Sequence, residues 1–209
     1  MSERENKRER ESASDSKRER ESASDSIVRA LRELSDTALA TATTLEADMG
    51  RAAEMVRSTV QAGRTLFFCG NGGSAADAQH MATEYVVRYM RARRAVAAIA
   101  LTTDTSLLTA AANDLGFEQV FARQIEALAR PGDLLIIHST SGDSPNVLRA
   151  AEAARTVGAK VLAFSARTGG ALRALADLTI VIPTQRTDRA QEVHMCIEHA
   201  ICELIEREL

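Results

Sequence analysis

Thr65-Leu66-Phe67-Phe68-Cys69-Gly70-Asn71-Gly72-Gly73-Ser74-Ala75-Ala76-Asp77-Ala78-Gln79-His80 is the stretch on which the fold assignment turns. Thr65 to Cys69 is a short apolar run; Gly70, Gly72 and Gly73 break it, and a helix-compatible segment begins at once. Glycines let the backbone turn tightly and let a ligand approach the main chain, and Ser74 is placed to cap a helix whose unpaired N–H groups face the same spot. Strand, glycine turn and helix in that order form an anion site of an α/β protein. Gly70-x-Gly72-x-x-Ala75 also fits the dinucleotide fingerprint, but a lone match is weak. The acidic residue that would close on a ribose belongs about 20 residues further, at the end of the second strand. Asp104 lies there only loosely, and too far along. No G-x-x-x-x-G-K-[ST] occurs in the sequence, so a P-loop nucleotide site is excluded.

Downstream, apolar β-rich runs alternate with helical segments. The sequence predicts a helix from Ser74 to about Met90, a second strand over Val96–Leu101, and short helices around Leu107–Ala112 and Glu118–Ala129. Pro131-Gly132 turns the chain into a third strand, Leu134–His138, and Pro145 sits near the first turn of a helix reaching about Val157. A fourth strand, Val161–Phe164, a fifth, Leu178–Ile182, and a C-terminal helix from about Asp188 complete the pattern. Such alternation implies a five-stranded parallel sheet covered by helices on both faces, a three-layer αβα domain. Ligands of these sheets bind at the carboxyl ends of the strands. Both unusual loops, Gly70–Ser74 and Ser139–Ser144, fall on that edge.

The second loop carries Ser139, Thr140, Ser141 and Ser144, hydroxyls grouped on one strand-to-helix turn. Hydroxyls and helix N-terminal amides together can wrap a terminal phosphate without Lys or Arg.

Upstream, apolar residues recur at helical spacing from Ile27 to about Ala62, giving two helices or one with a break near Gly50; Ser26 is the candidate cap. The Ala- and Thr-rich face suggests close helix contact, between subunits or over the sheet. The first 26 residues differ in kind: KRERESASDS over Lys7–Ser16 is repeated letter for letter over Lys17–Ser26. With no large apolar side chain in either repeat, this segment is read as a disordered, solvated tail, and residues 27–209 as one domain.

Composition narrows the function. A net charge of −3 leaves no basic field for nucleic acid or anionic lipid, and 3% aromatics with no Trp argue against base-stacking platforms. No membrane-length apolar run occurs, and the three cysteines (Cys69, Cys196, Cys202) are too few for a disulfide framework. The expected location is the cytoplasm.

CGNGGSAADAQH followed by STSGDS after a later strand resembles the sugar-isomerase (SIS) family, and within it the phosphoheptose isomerase branch. The resemblance covers roughly residues 30–209, including Asn113-Asp114 and Asp188-Arg189-Ala190-Gln191-Glu192-Val193-His194. It implies that Asn71, Gly72, Gly73, Asn113, Asp114, Ser139, Thr140, Ser141, Ser144 and Gln191 line a sugar-phosphate pocket. It further implies a zinc ion, one per subunit, on His80, Glu84, Gln191 and His199, and a homotetramer with active sites at its interfaces. Spacing alone would not assign that metal: His80 and Glu84 share a helix face, as do Gln191 and His199 broadly, but Gln is a weak neutral ligand.

Aldose–ketose isomerisation needs a base at carbon and a partner for the hydroxyl proton. Glu84 is the expected base, also touching substrate, and His199 the partner at oxygen. The activity implied is conversion of sedoheptulose 7-phosphate to D-glycero-D-manno-heptose 7-phosphate, which opens nucleotide-activated heptose synthesis for lipopolysaccharide or another glycan. The rival readings are a non-catalytic SIS module that binds a sugar phosphate and regulates, and an isomerase of another ketose phosphate. His138 (where an aliphatic residue is expected), His194 and Arg88 have no assigned role at this level, and Asp188 and Glu192 are read as supporting partners or caps.

Overall fold

The computed structural model describes residues 22–209. Residues 7–21 of the tandem repeat lie outside them, and its last five, Ser22–Ser26, lie within. The chain divides into two compact units, Met1–Asp36 and Thr37–Leu209. The first helix, α1 (Ala23–Thr44), starts in the former, where Ser22 Oγ accepts the Asp25 N–H at 3.0 Å. Ser22, not Ser26, is thus the residue that satisfies the first turn, and Ser26 lies inside the helix.

The expected break between the N-terminal helices is real but lies at Leu45, ahead of α2 (Glu46–Gln61). Gly50 is inside α2, where a mid-helix glycine costs only about 1 kcal/mol relative to alanine. The hydroxyls of Thr43 and Thr44 turn back onto the carbonyls of Leu39 and Ala40, a side-chain habit that weakens and bends helices.

The core of the second unit is a five-stranded parallel sheet in the order β2-β1-β3-β4-β5. Its strands are β1 (Leu66–Gly70), β2 (Ala98–Ala100), β3 (Leu134–His138), β4 (Lys160–Ala166) and β5 (Leu178–Ile182). Between them run α3 (Gly73–Val86), α4 (Thr105–Leu115), a 3₁₀ turn (Phe117–Gln119), α5 (Ala122–Leu128), α6 (Pro145–Val157) and a single turn α7 (Leu172–Leu175). The last helix is α8 (Thr187–Glu206). The sequence reading of β3 and β5 matches to the residue. The glycine-loop helix ends four residues early, at Val86, and Gly72 rather than Ser74 is its N-cap.

Because side chains alternate across a strand, β1, β3 and β4 feed two cores. Phe67, Cys69, Leu135, Ile137, Val161 and Ala163 pack with α5 and α6 on one face. Leu66, Phe68, Ile136, Leu162 and Phe164 point to the other, toward α2, α3 and α8. Burial on both faces, at roughly 1.5–3 kcal/mol per large apolar side chain, is why these strands read as unbroken apolar runs. The exception is His138, wholly buried at the end of central β3.

The chain passes from β1 to β2 on one side of the sheet and from β3 to β4 on the other. The loops after neighbouring β1 and β3 therefore diverge, which is the switch point where such sheets bind ligands. No helix among the described residues is long and apolar enough to cross a membrane.

Candidate functional site

At the switch point Gly70 pairs with His138 in register. A Cβ on Gly70 would meet the Ser74 carbonyl oxygen at 2.6 Å and the His138 carbonyl oxygen at 2.8 Å, so only glycine fits between the two loops. Just beyond, the amides of Asn71 and Asn146 exchange hydrogen bonds, both at 2.8 Å. Asn146, buried in the first turn of α6, was not singled out in the sequence; it locks the glycine loop to the serine loop. A cavity of about 180 Å³ opens beside Gly70, Asn71, Gly72 and Ala75, walled by Leu108 and Phe117. Asp104, loosely placed for a ribose contact, instead caps α4 through the Leu107 N–H at 2.9 Å.

The serine loop is shaped by its own hydroxyls. Ser139 is buried and its Oγ accepts the Gly142 N–H at 3.2 Å; Ser141 Oγ accepts the Asp143 N–H at 3.3 Å. Ser144 is the N-cap residue of α6, with Pro145 at its first position, as the sequence suggested. The loop rests on the turn after β4. Asp143 Oδ1 accepts the Ala171 N–H at 2.8 Å, and the Gly142 carbonyl accepts the Leu172 N–H at 2.9 Å.

α3 and α8 bring three of the four expected metal ligands together. His80 Nε2 and His199 Nε2 stand 3.1 Å apart, and Glu84 Oε1 is 3.2 Å from His80 Nε2. One ligand atom from each lies within 4.8 Å of the others. The fourth expected ligand, Gln191, donates its amide to Ser74 Oγ at 3.2 Å and lies against Gly73, at the start of α3. Two imidazole nitrogens and a carboxylate oxygen are a borderline donor set of the kind that holds zinc, with three protein ligands leaving room for a further group. Burial, then repulsion from His80, holds the His199 imidazole below its ordinary pKa, against the pull of Glu84 and Glu198. That favours the neutral ring a cation needs.

Two buried assemblies support this trio. Tyr89 stacks on the His199 ring at 5.0 Å and 14°. Its segment is held by Glu206, which accepts the N–H groups of Tyr89, Met90 and Arg91 at 2.7, 2.9 and 3.0 Å. Arg93 pairs with Glu206 at 3.3 Å and donates to the carbonyls of Glu84 and Tyr85, tying the end of α3 to α8. Within the basic run Arg91–Arg94, the Arg93 side chain is almost fully buried, while Arg91 and Arg94 are exposed.

Beneath lies His138, whose Nε2 meets Glu198 Oε2 at 2.8 Å. Burial opposes charge on His138, but the Glu198 carboxylate, its hydrogen bond and Asp77 outweigh it and raise the pKa. His194 is also buried; its Nε2 pairs with the Ser165 carbonyl at 3.0 Å, and burial pushes its pKa down to about 3. It is a core histidine. Asp188 and Glu192 both pair with Arg189, while Arg88 is exposed, as are Asn113 and Asp114, which bond to each other.

The description "SIS domain" fits residues 29–166. The chain belongs to the SIS-domain family. It is 53% identical over 157 residues to a phosphoheptose isomerase of Roseiflexus sp. (strain RS-1), covering 75% of this chain and 80% of that protein. A phosphoheptose isomerase of Akkermansia muciniphila is 48% identical over 162 residues, 78% of this chain and 86% of that one. Among solved structures, phosphoheptose isomerase GmhA from Neisseria gonorrhoeae superposes with a TM-score of 0.83 at 39% identity, covering 89% of this chain and all (100%) of that one.

Proposed function

We propose that this protein is a phosphoheptose isomerase that converts sedoheptulose 7-phosphate to D-glycero-D-manno-heptose 7-phosphate. The observation that carries the reading is the convergence of His80, Glu84 and His199 on the helix pair α3 and α8, with α3 launched directly from the glycine loop at the switch point. A regulatory SIS module that only binds a sugar phosphate has no use for such a cluster.

The residues divide the reaction between them. The serine loop (Ser139, Thr140, Ser141 and Ser144) and the amides at the start of α6 hold the phosphate. Asn71, Gly72, Gly73 and Gln191 shape the sugar side. Glu84 takes the proton from C1 of the ketose and returns it to C2, and His199 relays the hydroxyl proton from O1 to O2 through the enediol. A zinc ion held by His80, Glu84, His199 and Gln191 would supply Lewis-acid polarisation of the carbonyl. A carboxylate bound tightly to a metal is a poorer base, so ligation and proton transfer by Glu84 belong to different moments of the cycle.

The assembly is read as a homotetramer in the cytoplasm. Support for self-association comes from an apolar groove of about 340 Å³ between α1, α2 and α8, lined by Ala38, Met49, Ala53, Val193, Ile197 and Leu204 among others. Exposed Asn113 and Asp114 are assigned to a pocket completed by a neighbouring subunit. The test is metal analysis joined to a solvent-proton exchange assay on sedoheptulose 7-phosphate. Zinc together with exchange at C1 and C2 is expected; absence of both would favour the regulatory module.

A further inference from the structure

One hydrogen bond joins two parts of the proposed site that the reaction needs in fixed relation. His138 is the last residue of β3 and immediately precedes Ser139, where the serine loop begins; Glu198 immediately precedes His199. Their 2.8 Å contact is almost completely shielded, with side-chain exposures of 0% and 4%. The imidazole has no freedom to follow a moving partner, because it is stacked between Phe68 (centroids 6.4 Å, 11°) and Phe164 (5.8 Å, 15°) on the neighbouring strands. Register pins it further, since His138 lies opposite Gly70 on β1 and Phe164 on β4. The rigid sheet therefore holds one end of the bond, and α8 hangs on the other.

A buried polar pair is a weak source of stability, because desolvation consumes much of its attraction. What it provides is directionality. A packed apolar pair sits about 4 Å apart and tolerates sliding, whereas a hydrogen bond fixes its partners near 2.8 Å and in angle. A displacement of about 1 Å between reacting groups can cost on the order of 100-fold in rate. Two buried oxygens here, Glu198 Oε1 and Asp77 Oδ2, have no hydrogen-bond partner among the described residues. The site thus retains polar groups that packing alone would not select.

We propose that the His138–Glu198 hydrogen bond is a positioning tether that sets the axial position and rotation of α8, and so the distance from the phosphate-holding serine loop to His199. His138 and Glu198 are positioning residues; they act through Ser139 and His199. The inference rests on the isomerase reading of the site.

The test compares the parent with His138→Leu, Glu198→Leu, the double Leu variant and Glu198→Gln. Melting temperature, zinc affinity by chelator competition, and kcat and KM for sedoheptulose 7-phosphate are measured for each. Either single Leu variant leaves one buried polar partner orphaned and melts lower; the double regains most of the loss. If the pair is a tether, the double variant still turns over about 10-fold or more slowly and binds zinc more weakly, with KM within about threefold of the parent. Glu198→Gln keeps a neutral hydrogen bond and returns kcat to within about threefold. A double variant with parental stability, kcat and zinc affinity overturns the proposal, since the pair is then packing only. So does a Glu198→Gln variant as slow as Glu198→Leu, which would make the charge and not the bond the essential element. A parent that binds zinc but does not isomerise the heptose defeats the isomerase reading instead, and the zinc arm still decides the tether.

Discussion

His80 Nε2 and His199 Nε2 face each other across 3.1 Å, with their rings tilted by 59° and Glu84 Oε1 beside them. Two imidazole nitrogens and a carboxylate oxygen so close together offer three donor atoms to one cation. Glu84→Gln and His199→Gln are each expected to lower turnover on sedoheptulose 7-phosphate by about 100-fold or more. His199→Gln should also lower bound zinc. Because His80 is half-exposed and Glu84 only partly buried, the melting temperature should move little. Exchange rates, metal content and thermal melts on the same samples check this; near-parental turnover in either variant would sink the assignment.

Gly142 has φ 72°, and a Cβ placed on it would lie 2.0 Å from the Gly169 carbonyl oxygen. Gly142→Ala therefore forces the serine loop off the turn after β4, at a cost of about 2 kcal/mol or more. The expected signature is a raised KM together with a lower melting temperature. Weakened binding of inorganic phosphate, measured by calorimetry, would assign the loss to the phosphate cradle.

Glu206→Ala removes the partner of buried Arg93 and the acceptor of three backbone N–H groups around Tyr89. The loss should be about 3–5 kcal/mol in urea unfolding, since an uncompensated buried guanidinium remains. Turnover should fall as well, because Tyr89 no longer stacks on His199. A variant with parental stability would mean that the buried pair contributes nothing net.

His194 makes stability depend on acid. Its folded pKa of about 3 lies below the ordinary imidazole value of 6.5, so between these values the unfolded chain binds the extra proton. Stability is then full above pH 6.5 and lost as pH falls toward 3, by on the order of a few kcal/mol. His138 works the other way: its raised pKa gives stability that is complete below 6.5 and lost as pH rises through the folded value. Melts across pH 4–9 should show the acid loss, with its slope reduced in His194→Leu. An acid limb unchanged by that substitution would exclude His194 as its source.

Removal of residues 1–21 is expected to leave kcat and KM within about twofold, because a segment with so few apolar side chains has little to bury against the domain. Steady-state rates of the truncated and full chains decide the point, and a large loss of turnover would make the tail part of the site.

How much of this was legible in the sequence depended on how local the cause was. Strand and helix periods are written in neighbouring residues, so β3 and β5 were found to the residue and the αβα class followed. The glycine and serine loops announced the ligand edge, because a turn against a helix N-terminus needs those residues whatever surrounds it. Boundaries shifted where tertiary partners took over. α3 stops at Val86 because Arg93 occupies the carbonyls of Glu84 and Tyr85.

The motif Gly70–His80 by itself determined that a strand would turn through glycines into a helix carrying His80. Which atoms meet there was decided by folding alone. Asn146 reaches Asn71 across 75 residues, His199 reaches His80 across 119, and His138 reaches Glu198 across 60. No periodicity encodes such contacts, because they depend on the packing of α8 against α3 and the sheet. Gln191 adds another such contact, its amide donating to Ser74 Oγ across 117 residues. Sequence spacing fixes which residues share a helix face, and only the packed structure fixes what that face meets.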